Sequence, residues 1–90
     1  MRAHRVQRAG RDIPLTAQEF ALLRYLAEHQ GHVLSRTRIL DAVWATSHDP
    51  RTNVDDVYVS YLRAKIDKDF TRALIHIVRG AGYVLEDKRR

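Results

Sequence analysis

Ninety residues give room for one small domain, and a hydrophobic content of 44% supports a single modest core. The net charge of +5 favours a polyanionic partner, though the excess is spread along the chain. With no cysteine, disulfides, cysteine-rich zinc sites and thiol nucleophiles are excluded, and apolar runs of about five residues fall far short of the roughly 20 that a bilayer span needs.

Residues 1–15 predict a short N-terminal hairpin. His4 to Gln7 alternates loosely, Ala9-Gly10 is a turn signal, and Asp12 to Leu15 returns as a second strand. A first helix is expected over 16–30. Thr16-Ala17-Gln18-Glu19 has the form of a capping box, in which the threonine hydroxyl and the glutamate each satisfy an exposed amide. Its apolar face would carry Phe20, Leu23, Leu26 and Ala27, with Leu22 and Tyr25 on the flanks, and Gly31 is placed to end it. A second helix over 35–44 starts from a Ser35 cap and buries Ile39, Leu40, Val43 and Trp44.

A polar loop over 45–51, containing Pro50, leads to a third helix over 52–67. Thr52 is expected to cap it, with Asp55 at the capping-box position and Asp56 beside it, both suited to the positive end of the helix dipole. The last element is a hairpin over 74–86 whose turn is Arg79-Gly80-Ala81-Gly82.

On a 3.6-residue wheel the third helix places Val59, Leu62 and Ile66 on a core-facing stripe, with Val57 at its edge. Val54, Tyr58, Tyr61 and Lys65 fall on another. Tyrosine can bond a base edge or a phosphate and can pack on a thymine methyl, which makes this second stripe a candidate groove face. The plain alternative is that both tyrosines are partly buried packing residues. Asn53 could bond a base or a phosphate. Arg51 and Arg63 are candidate phosphate ligands or ordinary surface arginines. Arg79 is either a minor-groove probe or a solvated turn residue. Gly80-x-Gly82 lacks the strand-then-helix setting of a dinucleotide fingerprint and reads as turn chemistry.

Catalysis is not expected. Nothing pairs a nucleophile with a base, and Asp55-Asp56 are explained by capping, since neighbours on a helix point about 100° apart. His29 and His32 lack a clear third metal ligand, and His76 sits in a strand pattern. No cofactor is expected.

Several runs carry a resemblance. Leu15-Thr16-Ala17-Gln18-Glu19-Phe20-Ala21-Leu22-Leu23, Val33-Leu34-Ser35-Arg36 and Leu40-Asp41-Ala42-Val43-Trp44 resemble the DNA-binding domain of OmpR/PhoB-type two-component response regulators. Val57 to Asp67 and Ile77-Val78-Arg79-Gly80-Ala81-Gly82-Tyr83 continue the likeness, which covers roughly residues 5–86. Within the family the chain is most similar to the copper- and heavy-metal-responsive branch.

The resemblance implies an α+β fold: a winged helix-turn-helix with three helices, an N-terminal antiparallel platform and a C-terminal hairpin wing. It implies sequence-specific binding of double-stranded promoter DNA, on tandem half-sites, with the third helix in the major groove and the wing in the minor groove. Carried over by position, Tyr58 and Tyr61 take groove-facing places. Asn53 and Val54 take the phosphate- or base-contacting start of the helix, and Arg63 takes a phosphate place; Arg51, Thr52 and Lys65 are counted with them as DNA-binding candidates. Trp44 and Tyr83 match aromatics that brace backbone contacts, and Arg79 matches the wing arginine. The loop Ala45, Thr46, Ser47, His48, Asp49, Pro50 matches the segment that meets RNA polymerase.

Two departures matter. Tyr61 stands where well-known members have arginine, so their base preference does not transfer. Only about two platform strands fit before the first helix where the family has four, and the phosphorylated receiver domain is absent. The chain is then either an excised effector domain of a cytoplasmic bacterial regulator, which the half platform favours, or a free-standing relative; a full form would include that receiver and answer to a histidine kinase. The alternative function is a winged helix used as a protein–protein module.

Overall fold

The computed structural model describes residues 4–44, 53–68 and 73–87, so the expected loop Ala45–Pro50, Arg51 and the cap Thr52 lie outside the described residues. In chain order the elements are β1 (His4–Arg8), β2 (Arg11–Leu15), α1 (Ala17–Glu28), α2 (Arg36–Ile39), α3 (Val54–Ile66), β3 (Ile75–Val78) and β4 (Gly82–Leu85). A π-helical turn, Leu40–Trp44, prolongs α2. This is the winged helix-turn-helix that the sequence predicts: three helices between an antiparallel platform hairpin and a second hairpin, the wing.

β1 and β2 pair antiparallel with Arg8 opposite Arg11, which leaves a two-residue turn. Both turn residues are left-handed, Ala9 at φ 54° and Gly10 at φ 79°. Positive φ at both positions is what a turn matched to the strand twist requires. α1 then starts from a complete capping box. Glu19 N donates to Thr16 Oγ1 at 3.2 Å, and Thr16 N donates to Glu19 Oε1 at 2.9 Å. Its buried face is centred on Leu22 and Leu26, with Phe20, Leu23 and Tyr25 only partly covered. Ala27, expected on that face, is exposed. Glu19, polar by type, takes a place on the buried side instead. Gly31, at φ 86°, does not end the helix, which stops at Glu28; it gives its N–H to Leu85 O at 2.9 Å and so docks the link on β4.

The wing is held in the same way. Leu34 and Tyr83 exchange both backbone hydrogen bonds, at 2.8 and 3.0 Å. Gly82 makes this approach possible: its φ is 145°, and a Cβ there would lie 1.9 Å from Leu34 O. Leu22, Leu26, Leu34, Ile39, Leu62 and Ile75 form the centre of the core, each at 1% exposure or less. At the far end of α3 the buried Asp67 accepts from Arg8 Nη1 at 2.9 Å, Leu74 N at 3.0 Å and Ile75 N at 3.1 Å. Arg8 also donates to Ile66 O. One carboxylate thus ties the platform, the end of α3 and the start of β3.

Candidate nucleic-acid interface

α3 buries Asp55, Val59, Leu62 and Ile66. The opposite face is therefore Ser60, Tyr61 and Ala64, all exposed, with Val57 beside them, half-buried and outside the core cluster. The sequence wheel put Val57 at the edge of the core stripe and Tyr58 and Lys65 on the outer one; of these, Tyr58 is the residue that the structure moves inward. Tyr58 is half-buried and packed against the core. Lys65 is turned toward α1, its Nζ 2.6 Å from Glu19 Oε1. Lys65 keeps 38% of its side chain exposed while its ammonium is paired with the buried glutamate, so its charge is partly committed to α1.

The other expected contacts divide similarly. Tyr61 is 49% exposed on the outer face, and Arg79 is exposed at the β3–β4 turn. Asn53 is the exposed N-cap of α3, and its side chain makes no capping bond. Val54 is half-buried at the helix start. Arg63 is half-buried, and its Nε, screened from solvent, has no hydrogen-bond partner among the described residues. Trp44 is half-buried beside Tyr58. Tyr83 is only 5% exposed, and its hydroxyl donates to Asp55 Oδ2 at 3.1 Å. Its ring is a core residue, and its hydroxyl is engaged inside the protein. His29 directs Nδ1 to Tyr25 O, and His76 directs Nε2 to Glu86 O.

The feature that sequence reasoning missed is the Asp55 network. Asp55 has no exposed surface. Its two oxygens meet Arg36 Nε at 2.8 Å and Nη2 at 2.9 Å, a bidentate pair. Burial alone would push this carboxyl up; the Arg36 hydrogen bonds and charge, with the Tyr83 hydroxyl, bring it below its ordinary value. The same pair raises Arg36. Tyr83 is pushed far up by burial and by the adjacent Asp55 charge. Asp55 is thus the anchor of α2 and β4 on α3, and not the capping residue expected from its position. Its partner Arg36 is 19 positions away in sequence, out of reach of any local signal. Ser35, Arg36, Arg79, Gly80, Gly82 and Tyr83 help to line a groove of about 450 Å³ between α2 and the wing turn.

Residues 10–85 match the family model described as transcriptional regulatory protein, C terminal. The chain is 46% identical over 87 residues to the probable transcriptional regulatory protein TcrX of Mycobacterium tuberculosis, covering 97% of this chain and 37% of that protein. It is 53% identical over 81 residues to the transcriptional regulatory protein PcoR of Escherichia coli, covering 90% and 36%. Among solved structures, the Klebsiella pneumoniae RstA DNA-binding domain in complex with the RstA box is similar at a TM-score of 0.79 and 29% identity, covering 91% of this chain and 82% of that one. The chain spans about 37% of the length of the first curated relative it matches.

Proposed function

The chain belongs to the family of transcriptional regulatory protein C-terminal domains, and from that membership we propose that it binds double-stranded promoter DNA in a sequence-specific way, with α3 in the major groove and the β3–β4 turn in the adjacent minor groove. The family regulates transcription and is not enzymatic. The observation that carries the reading is the outer face of α3. Ser60 and Ala64 keep the helix crest low, and Tyr61 projects beside them. A helix about 10–12 Å across fills a major groove about 12 Å wide, so a low crest lets backbone and short side chains come close to base edges. Arg79 at the wing turn and Arg63 on α3 supply cations for the flanking phosphates, with Asn53 and Val54 at the helix start. Arg51 and Thr52, next in sequence, belong to the same contacting group in this reading. Tyr83 acts from inside, as a brace, and Lys65 from the side of α3, through its pair with Glu19.

In the full-length protein the reading includes a receiver domain, a cognate histidine kinase and RNA polymerase met by the Ala45–Pro50 segment, all in the cytoplasm. No described helix is long and apolar enough to cross a membrane. The test is selection of bound duplexes from a random library at two salt concentrations. Enrichment of a short motif, repeated at about one helical turn, is expected. Binding that falls with salt yet enriches no motif would reduce the interaction to charge alone. Binding only to proteins, insensitive to salt, would replace the reading with a protein–protein module.

A further inference from the structure

Three aromatic rings stand in file from the end of the π-helical turn to the outer face of α3. Trp44 and Tyr58 meet edge to face, with ring centroids 5.4 Å apart and planes at 69°. Tyr58 and Tyr61 meet in the same manner at 5.3 Å and 67°. Trp44 and Tyr58 are both packed against the core. Tyr61 ends the file in solvent at 49% exposure.

Edge-to-face contact is favoured because the electropositive rim of one ring meets the electronegative face of the next. Tyr61 lies three positions after Tyr58, and helical side chains lean toward the preceding turn. The Tyr61 ring is therefore drawn back onto Tyr58, away from the low crest of Ser60 and Ala64. A free exposed side chain must lose rotamer freedom on binding. A ring already lodged against a second ring, itself lodged against a third, loses less.

What such a ring can recognise follows from its chemistry. Purine edges are read best by bidentate forks from arginine, asparagine or glutamine, and the outer face of α3 carries none of these. A fixed apolar ring surface suits the C5-methyl group of a pyrimidine, which among the unmodified bases only thymine presents in the major groove. We propose that Tyr61 reads a 5-methylpyrimidine, and that Trp44 and Tyr58 are positioning residues that hold its ring for this contact. The inference rests on the DNA reading above and adds a base class and two supporting residues to it.

The experiment uses the duplex obtained by selection. Each thymine is replaced singly by deoxyuridine, which removes the methyl and keeps every hydrogen bond, and affinity is read by fluorescence anisotropy. Loss of one methyl contact should weaken wild-type binding about four-fold at one position. Restoring the methyl there as 5-methylcytosine, paired with guanine, separates the methyl from the thymine base-pairing edge. It should bind tighter than cytosine by a similar factor. Tyr61→Ala should abolish the thymine-over-uracil preference. Tyr58→Leu should reduce it, and Tyr58→Phe, which keeps the ring, should restore it; thermal melts of each variant separate folding from recognition. Wild-type indifference to uracil at every position would overturn methyl reading. Full preference retained in Tyr58→Leu would overturn the positioning role. Failure to enrich any motif would instead sink the DNA reading beneath both.

Discussion

At Asp55 a carboxylate without exposed surface is kept charged by two hydrogen bonds from Arg36 and one from Tyr83. Breaking such a pair costs most when the partner left behind is the buried one. Arg36 is half in water, so Asp55→Asn releases a cation that water can solvate, whereas Arg36→Ala strands a buried anion. Urea unfolding is expected to show a loss of about 3 kcal/mol for Arg36→Ala and about half that for Asp55→Asn. The reverse order would mean that the pair is not the anchor drawn here. Gly82→Ala tests a different constraint. The substitution forces a side chain into φ 145° and onto Leu34 O, so the Leu34–Tyr83 bridge must open. A loss of about 2 kcal/mol or more is expected, with the bridge amides of Tyr83 and Leu34 losing hydrogen-exchange protection first. Gly80→Ala meets no neighbouring atom and should cost less, through its φ of 74° alone.

Among the elements, the platform turn is the one that local chemistry serves least well. Ala9 sits at φ 54° where asparagine or glycine is the favoured choice. Ala9→Asn should therefore stabilise the protein, by about 0.5–1 kcal/mol, read as a raised urea midpoint with unchanged slope. No gain would show that the hairpin contributes nothing at equilibrium. The turn itself was legible because Ala-Gly punctuates two alternating runs, and α1 was legible because Thr16 and Glu19 form a cap within four residues. α3 was legible as a helix but not in its rotation. Periodicity assigns polar residues outward, and here Asp55 is buried against Arg36, while the exposed Lys65 leans to Glu19, 46 positions away. Each pairing is set by tertiary packing, which no window of sequence contains. The outer stripe consequently moved from Val54, Tyr58, Tyr61 and Lys65 to Ser60, Tyr61 and Ala64, with Tyr61 common to both. Arg79 kept its expected place because a hairpin turn exposes its residues whatever the packing behind it.

Over the whole molecule, charge acts in two ways that can be measured separately. Toward DNA, Arg79 is an exposed wing cation, and Arg79→Ala should weaken binding to all duplexes and lower the salt slope by about one counterion. An unchanged slope would remove Arg79 from the phosphate contacts. Toward folding, two of the three buried carboxylates described, Glu19 and Asp55, join the body of α3 to other elements: Glu19 to α1 through Lys65, and Asp55 to α2 and β4 through Arg36 and Tyr83. Burial alone would raise both groups. For Glu19 the bond and charge of Lys65, with the Thr16 cap, outweigh it; for Asp55 those of Arg36 and Tyr83 do, and both end below their ordinary values. A carboxyl lowered in the folded state binds protons more readily when unfolded. Its contribution is therefore complete above the unfolded range, about pH 4, and is lost as pH falls through the lower folded values. Stability should be level near neutrality and decline from about pH 5 downward as the frame around α3 loses its ties. The control is the double variant Glu19→Gln/Asp55→Asn, less stable at pH 7 but with a flatter acid limb. Urea midpoints measured from pH 7 to pH 3 decide the matter. Parallel curves for wild type and double variant would place the acid sensitivity elsewhere, whereas convergence at low pH assigns it to the two carboxylates that clamp the recognition helix.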